Sequence, residues 1–211
     1  MSDAPNTVRP RDAASLLIVR ERRGQHQVLM GKRSSTDRFM PDVFVFPGGR
    51  VDPSDADVQV RTPLTRRQLE RLGAALPERR ARMLAVAAVR ETFEETGLVI
   101  GEQRAGELRP HLEGLEYIAR AITPAQSHIR YHARFFMTRE EHITGKLRSN
   151  GELIEMNWLS FDQAREAASV DVTQMVLDEA QYRLAKRPFR GVPLICYRHG
   201  VIQLRYRESG K

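Results

Sequence analysis

The chain has 211 residues, 41% of them hydrophobic, with a formal charge of +7 and a pI near 10. That length can bury one sizeable core, no run of about eighteen apolar residues is available to span a membrane, and no apolar segment follows the N-terminal charges, so a soluble, unsecreted, cytoplasmic protein is expected. A single cysteine, Cys196, excludes an internal disulfide and a thiolate cluster; with 7% aromatic residues and scattered Arg and Lys, the positive balance favours small phosphorylated anions over nucleic acid or a membrane surface.

In chain order, residues 14–20 (ASLLIVR) and 27–31 (QVLMG) are short apolar runs separated by polar ERRGQH, which predicts a β-hairpin. Residues 43–46 (VFVF) form a further strand candidate, broken by Pro47-Gly48-Gly49. In the largely polar stretch that follows, Thr65 is placed to cap a short helix. Residues 77–96 then read as one long helix, with Pro77 in its first turn and Gly97 as its stop. Strands are expected over 117–123, 129–137 and 154–159, a helix over about 161–184, and a final hairpin over 192–207 turning at His199-Gly200. Helices and strands mix without regular βαβ alternation, so the class is α+β.

The long helix ends in RETFEETG, residues 90–97. At about 100° per residue, Glu91, Glu94 and Glu95 share roughly a 100° arc while Val86, Val89 and Phe93 lie opposite. Upstream, the carboxylate side continues as Leu84, Ala87 and Ala88, so the helix is apolar nearly all round before it becomes acidic. Like charges at i and i+4 and negative charge at a helix C-terminus are both unfavourable. A divalent cation would offset them, because clustered carboxylate oxygens suit Mg²⁺ or Mn²⁺. Alone, three glutamates on one face read as solvated surface; behind a Pro-Gly-Gly turn they read as a ligand set.

FPGG, residues 46–49, followed by RETFEETGL, residues 90–98, resembles the Nudix box: Gly, five residues, Glu, seven residues, then Arg-Glu-x-x-Glu-Glu-x-Gly and an apolar residue. The second part matches at every charged and glycine position. In the first, Asp55 stands where the pattern has Glu, and residues 56–89 separate it from Arg90 where the pattern has seven, an insertion of 27 residues over about 53–80. A shortened acid before so long an insertion puts a role for Asp55 in doubt. LMGKRSSTDRFMPDVFVFPGG, residues 29–49, is similar to the signature of the branch that hydrolyses coenzyme A, with Arg33, Ser34 and Arg38 at the required spacing and Met30, Gly31 and Asp42 departing from it.

The resemblance implies a single Nudix domain over 1–211, built as an α/β/α sandwich around a mixed sheet, that hydrolyses the diphosphate of CoA or acyl-CoA to 3',5'-ADP and a phosphopantetheine. It implies Mg²⁺ or Mn²⁺ held by Glu91, Glu94 and Glu95 with a carbonyl of the Gly48-Gly49 turn, and substrate contacts at Arg33, Ser34, Arg38, Gly48 and Gly49. Arg90 orients a glutamate, and Glu152, ahead of Glu155, is the candidate general base. An ADP-ribose or NADH diphosphatase is the competing enzyme reading, and a non-catalytic nucleotide-sensing module the competing binding reading. The insertion carries Leu64, Leu69 and Leu72, a pattern suited to a helix that covers Leu84 and Ala88 or faces a second subunit of a homo-oligomer.

Overall fold

In a computed structural model, residues 8–36, 40–73, 76–198 and 200–206 are described. The first hairpin pairs β1 (Arg11–Arg22) with β2 (Gln25–Arg33) around a turn in which Arg23 and Gly24 both have positive φ. The strand candidate before the Pro-Gly-Gly turn becomes two short pieces, β3 (Phe44–Val45) on β2 and β4 (Gly48–Arg50) on β1. After a 3₁₀ turn over Pro53–Ala56 come α1 (Arg66–Leu72) and α2 (Glu78–Thr96), which ends at Gly97 with φ 70. Thr65 caps α1 as expected, in a reciprocal box with Gln68.

Three short strands that hydrophobic pattern did not mark follow, β5 (Leu98–Val99), β6 (Gly101–Arg104) and β7 (Glu107–Pro110). They precede β8 (Glu116–Ile122), β9 (Tyr131–Arg139), β10 (Thr144–Gly145) and β11 (Leu153–Ser160). The expected helix over 161–184 is two, α3 (Phe161–Ala167) and α4 (Asp171–Leu184), because Ala168 turns to an extended backbone. Gln174 donates to the carbonyl of Ala168 across the break. The terminal hairpin is β12 (Pro193–Arg198) and β13 (Val201–Tyr206); His199, expected in its turn, lies outside the described residues.

The central sheet runs β11-β2-β1-β9-β8-β12-β13 and is mixed: β1 with β9 and β8 with β12 are parallel, the rest antiparallel. Period-two alternation along β1 builds both sides of the core. Ala14, Leu16 and Ile18 pack in one cluster with the residues of α2, whereas Leu17 and Val19 pack in the other with Phe161, Val176 and Leu177 of α3 and α4. The result is an α+β sandwich with helices on both faces.

Residues 83–89 of α2 are all buried. A helix that is apolar all round needs cover on both sides. β1 supplies one, and the segment between Asp52 and Pro77 supplies the other, since Leu64, Leu69, Leu72 and Leu76 join the same cluster. The Gln68 amide donates to the carbonyls of Leu112, Glu113 and Leu115, and Arg82 donates to those of Ala56 and Val58. These contacts tie the segment between Asp52 and Pro77 to the core.

Candidate active site

The Pro-Gly-Gly turn brings β4 against the acidic end of α2. Gly48 has φ 152, and a Cβ there would lie 2.4 Å from the Ala14 carbonyl oxygen and 2.5 Å from Ser15 Cα, so only glycine lets β4 lie this close to β1. At Gly49 the close neighbour is a side chain: a Cβ would stand 2.4 Å from the Glu91 carboxylate. The Gly48 N–H donates to Glu95 Oε2 at 2.8 Å. Both box halves therefore meet here.

Glu91 and Glu95 line a cavity of about 750 Å³ together with Gly48, Gly49, Arg33 and Glu152. Burial pushes the Glu95 carboxyl up to about 8; the Gly48 N–H pulls it down, the charge of Glu91 pushes it up, that of Arg33 pulls it down and that of Glu152 pushes it up. Burial likewise raises Glu91, against the pull of Arg90. This part of the cavity is thus short of positive charge. Its remaining wall is largely apolar, with Ala121, Ile122, Pro124, Val170 and Val172.

Glu94 does not line the cavity; its half-exposed carboxylate accepts from Arg90 Nη1 at 3.0 Å. Arg90, expected to hold one glutamate, holds more. It also donates to Glu91 at 2.9 Å, to the Arg50 carbonyl at 3.1 Å, and through Nε to Asp55 at 2.8 Å. Burial alone would favour its neutral form, but the hydrogen bond to Asp55 and the charge of Glu91 outweigh that and raise it above the ordinary arginine value. Asp55 is completely buried, and its other contact is the Asp52 N–H at 2.7 Å. Asp55, although one methylene shorter than the pattern's glutamate, anchors Arg90.

The remaining expected residues divide. Arg33 reaches the cavity, whereas Ser34 is outside its lining and shares a 2.9 Å hydrogen bond with Thr36. Arg38 lies outside the described residues. Asp42, which replaces the glycine of the signature, has φ 58, a conformation that short polar side chains tolerate. Glu152 is on the cavity wall, but Glu155, in a bulge of β11 with φ 48, turns to Lys32 at 3.5 Å.

The donor set fits a hard divalent cation in part. Glu91 offers a part-buried carboxylate beside Gly49, whose missing side chain leaves room for it, and Glu95 a buried one held by the Gly48 N–H, yet among the described residues no three His, Cys, Asp or Glu groups are already gathered as a cation cage. Of the three box glutamates, Glu91 and Glu95 line the cavity, while the Glu94 carboxylate accepts from Arg90 outside its lining. Among the described residues no helix is long and apolar enough to cross a membrane.

Residues 78–177 match the family model described as NUDIX domain. The chain is 31% identical over 112 aligned residues to the acyl-coenzyme A diphosphatase NUDT19 of Xenopus laevis, covering 41% of this chain and 29% of that protein. It is 29% identical over 123 residues to the NUDT19 of Gallus gallus, covering 43% and 32%. The matched region thus spans about three-tenths of the length of these relatives. Among solved structures, a Nudix hydrolase from Alicyclobacillus acidocaldarius superposes with a TM-score of 0.61 at 26% identity, covering 81% of this chain and 90% of that one. The Nudix domain of Shewanella oneidensis NrtR, solved with ADP ribose, shares the fold at a TM-score of 0.51 and 12% identity, covering 87% of this chain and 94% of that one. With the sandwich and with the box residues gathered around Gly49, the family match shows that residues 78–177 carry a Nudix domain.

Proposed function

We propose that this chain hydrolyses the diphosphate of coenzyme A or an acyl-CoA, releasing 3',5'-ADP and the corresponding phosphopantetheine, with Mg²⁺ or Mn²⁺ as cofactor. The observation that carries the reading is the juxtaposition of part-buried Glu91 and buried Glu95 with Arg33 and Glu152 in a cavity whose remaining wall is largely apolar. The similarity to acyl-coenzyme A diphosphatases supports the choice of substrate.

A diphosphate resists attack because its oxygens repel nucleophiles. Glu91 and Glu95 would hold the cation, which when bound supplies charge neutralisation at the diphosphate and a more acidic water. Arg90 keeps Glu91 aimed at Gly49, and the Gly48 N–H fixes Glu95. The guanidinium of Arg33 faces the anionic substrate from the opposite strand. Glu152 takes the proton of the attacking water. The apolar wall accommodates the organic arm of the substrate and limits access of bulk water.

The test is metal-dependent turnover across CoA, acetyl-CoA, a long-chain acyl-CoA, ADP-ribose and NADH. The expected result is a higher kcat/KM for CoA or an acyl-CoA than for ADP-ribose and NADH. A preference for ADP-ribose or NADH overturns the substrate, and binding without turnover of any of the five overturns the enzyme.

A further inference from the structure

A second cavity, of about 680 Å³, lies beside the first, and Arg50 and Glu91 line both. Its walls carry five arginines: Arg9, Arg11, Arg50, Arg80 and Arg90. Two of these are committed within the protein. Arg80 pairs with Asp12, which also accepts from Arg134, and Arg90 is held by Asp55, Glu91 and Glu94. The other three are not. Among the described residues, Arg9, Arg11 and Arg50 make no side-chain hydrogen bond or ion pair, although Asp52 feels the charge of Arg50.

The acids of this cavity are already matched. Asp12 lies between two guanidiniums, Glu91 accepts from Arg90, and Asp52 accepts from the Ser54 N–H and hydroxyl. His132, on the same wall, is pushed down to about 4 by burial and then by the charges of Arg134 and Arg120, so it is neutral at physiological pH. Three guanidiniums without an ion-pair partner therefore face one concavity, with the Asp52 carboxylate the one acid there that no guanidinium pairs. The segment that presents two of them is held in place, since the Arg11 N–H donates to the Arg130 carbonyl at 2.9 Å and Arg130 Nη1 donates to the Val8 carbonyl at 2.8 Å.

We propose that Arg9, Arg11 and Arg50 form a subsite for a phosphomonoester carried by the substrate outside its diphosphate, which on the proposed function is the 3'-phosphate of the nucleotide half. The inference rests on that reading for the identity of the substrate. Geometry supports it because the two cavities meet at Arg50 and Glu91, so a ligand with its diphosphate at Glu91 and Glu95 can extend a second anionic group past Arg50. Guanidiniums suit the task, since they grip phosphate oxygens in pairs and stay charged at any working pH. Arg33 then serves the diphosphate, and discrimination falls to the other side of β4.

The experiment compares the parent protein with the double variant Arg9→Ala/Arg11→Ala, and separately with Arg50→Ala, after thermal melting has confirmed that each is folded. Calorimetric titration with adenosine 3',5'-bisphosphate, 5'-AMP and inorganic phosphate is run beside turnover of CoA and dephospho-CoA. The double variant is expected to weaken the bisphosphate, and to raise KM for CoA, about tenfold, while 5'-AMP and dephospho-CoA are unchanged. Equal losses for both nucleotides would mean general attraction of anions and overturn the subsite, as would a bisphosphate preference that survives all three substitutions. Inorganic phosphate binding as tightly as the bisphosphate would make this a free-phosphate site and overturn the substrate assignment. If the parent turns over neither CoA nor dephospho-CoA yet shows an arginine-dependent preference for the bisphosphate, the subsite stands and the diphosphatase reading falls.

Discussion

Asp55 and Arg90 stand 35 positions apart in the chain and 2.8 Å apart in the fold. The interrupted box is thus closed in space, and a carboxylate one methylene shorter than the pattern's glutamate still reaches the arginine because the 3₁₀ turn that carries it is pinned by its own capping box. Asp55→Ala removes a fully buried partner from Arg90 and leaves the Asp52 N–H without its acceptor. The expected loss is about 3 kcal/mol of stability, by analogy with breaking other buried pairs. Turnover should fall as well, because Glu91 depends on the same guanidinium. Denaturant unfolding and CoA hydrolysis measure the two effects; unchanged stability would show that Arg90 finds another anchor.

The two glycines of the turn should fail differently. A methyl at Gly48 meets the backbone of Ala14 and Ser15, which cannot yield, in a conformation with φ 152 that L side chains rarely adopt. A methyl at Gly49 meets only the end of the Glu91 side chain, which can swing away. Gly48→Ala is therefore expected to lower Tm by several degrees, whereas Gly49→Ala keeps Tm near the parental value and loses most activity by displacing Glu91. Melting curves with turnover decide it, and equal destabilisation by both changes would contradict the assignment.

Much of the site could be read from residue spacing. The 100° arc of Glu91, Glu94 and Glu95, the stop at Gly97 and the hairpin of β1 and β2 follow from local periodicity, which the fold preserves. Asp55 was obscured because its partner is set by a long-range closure that no short pattern encodes. Helical phase places the Cα–Cβ bond of Glu94 with those of Glu91 and Glu95, while the long side chain of Arg90 holds the Glu94 carboxylate at the rim. Residues 161–184 read as one helix because their apolar residues run on, and the extended turn at Ala168 leaves no composition signal of its own. The arginines at 9, 11 and 50 cannot be read as a group from local pattern, since two strand pairings, β1 with β4 and β1 with β9, bring the segments that carry them to one concavity.

Gln68 tests whether the inserted segment belongs to the core. Its amide supplies donors to three backbone carbonyls in the loop before β8, two of them in buried surroundings. Gln68→Ala leaves those acceptors without a partner away from water, a loss expected at about 1–3 kcal/mol. Chemical denaturation of the variant reads this directly. A neutral result would show that the segment lies on α2 as a detachable cover.

Acid should weaken the fold through His132 in a defined window. Burial first, then the charges of Arg134 and Arg120, lower its pKa from 6.5 to about 4, against the pull of Asp12. The unfolded chain therefore binds a proton below 6.5 that the folded protein refuses. Stability from this source is complete above pH 6.5 and is lost as pH falls towards 4. His132→Gln should flatten the Tm profile across that interval relative to the parent, while the separate loss from Asp12, whose pKa is lowered below 3.8, remains at more acid pH. Parallel profiles would remove His132 as the cause.

Glu95→Gln separates what the fold tolerates from what the chemistry requires. The carboxylate is 5% exposed, and burial raises its pKa to about 8 against the Gly48 N–H, so in metal-free buffer its ionisation opposes folding increasingly as pH rises from 4.5. Glutamine keeps an amide oxygen for the Gly48 N–H and removes the buried charge, so Tm near pH 8 should be equal to the parental value or higher. Activity should move the other way. Loss of a principal charge at the diphosphate is expected to lower kcat by at least about a hundredfold with saturating Mg²⁺. Glu94→Gln should cost clearly less, because its carboxylate sits at the rim on Arg90. Melting at pH 8 and turnover with Mg²⁺ check both variants: a parental rate for Glu95→Gln would remove Glu95 from the site, and an equal loss for Glu94→Gln would show that Glu94 leaves Arg90 and enters the cavity during turnover.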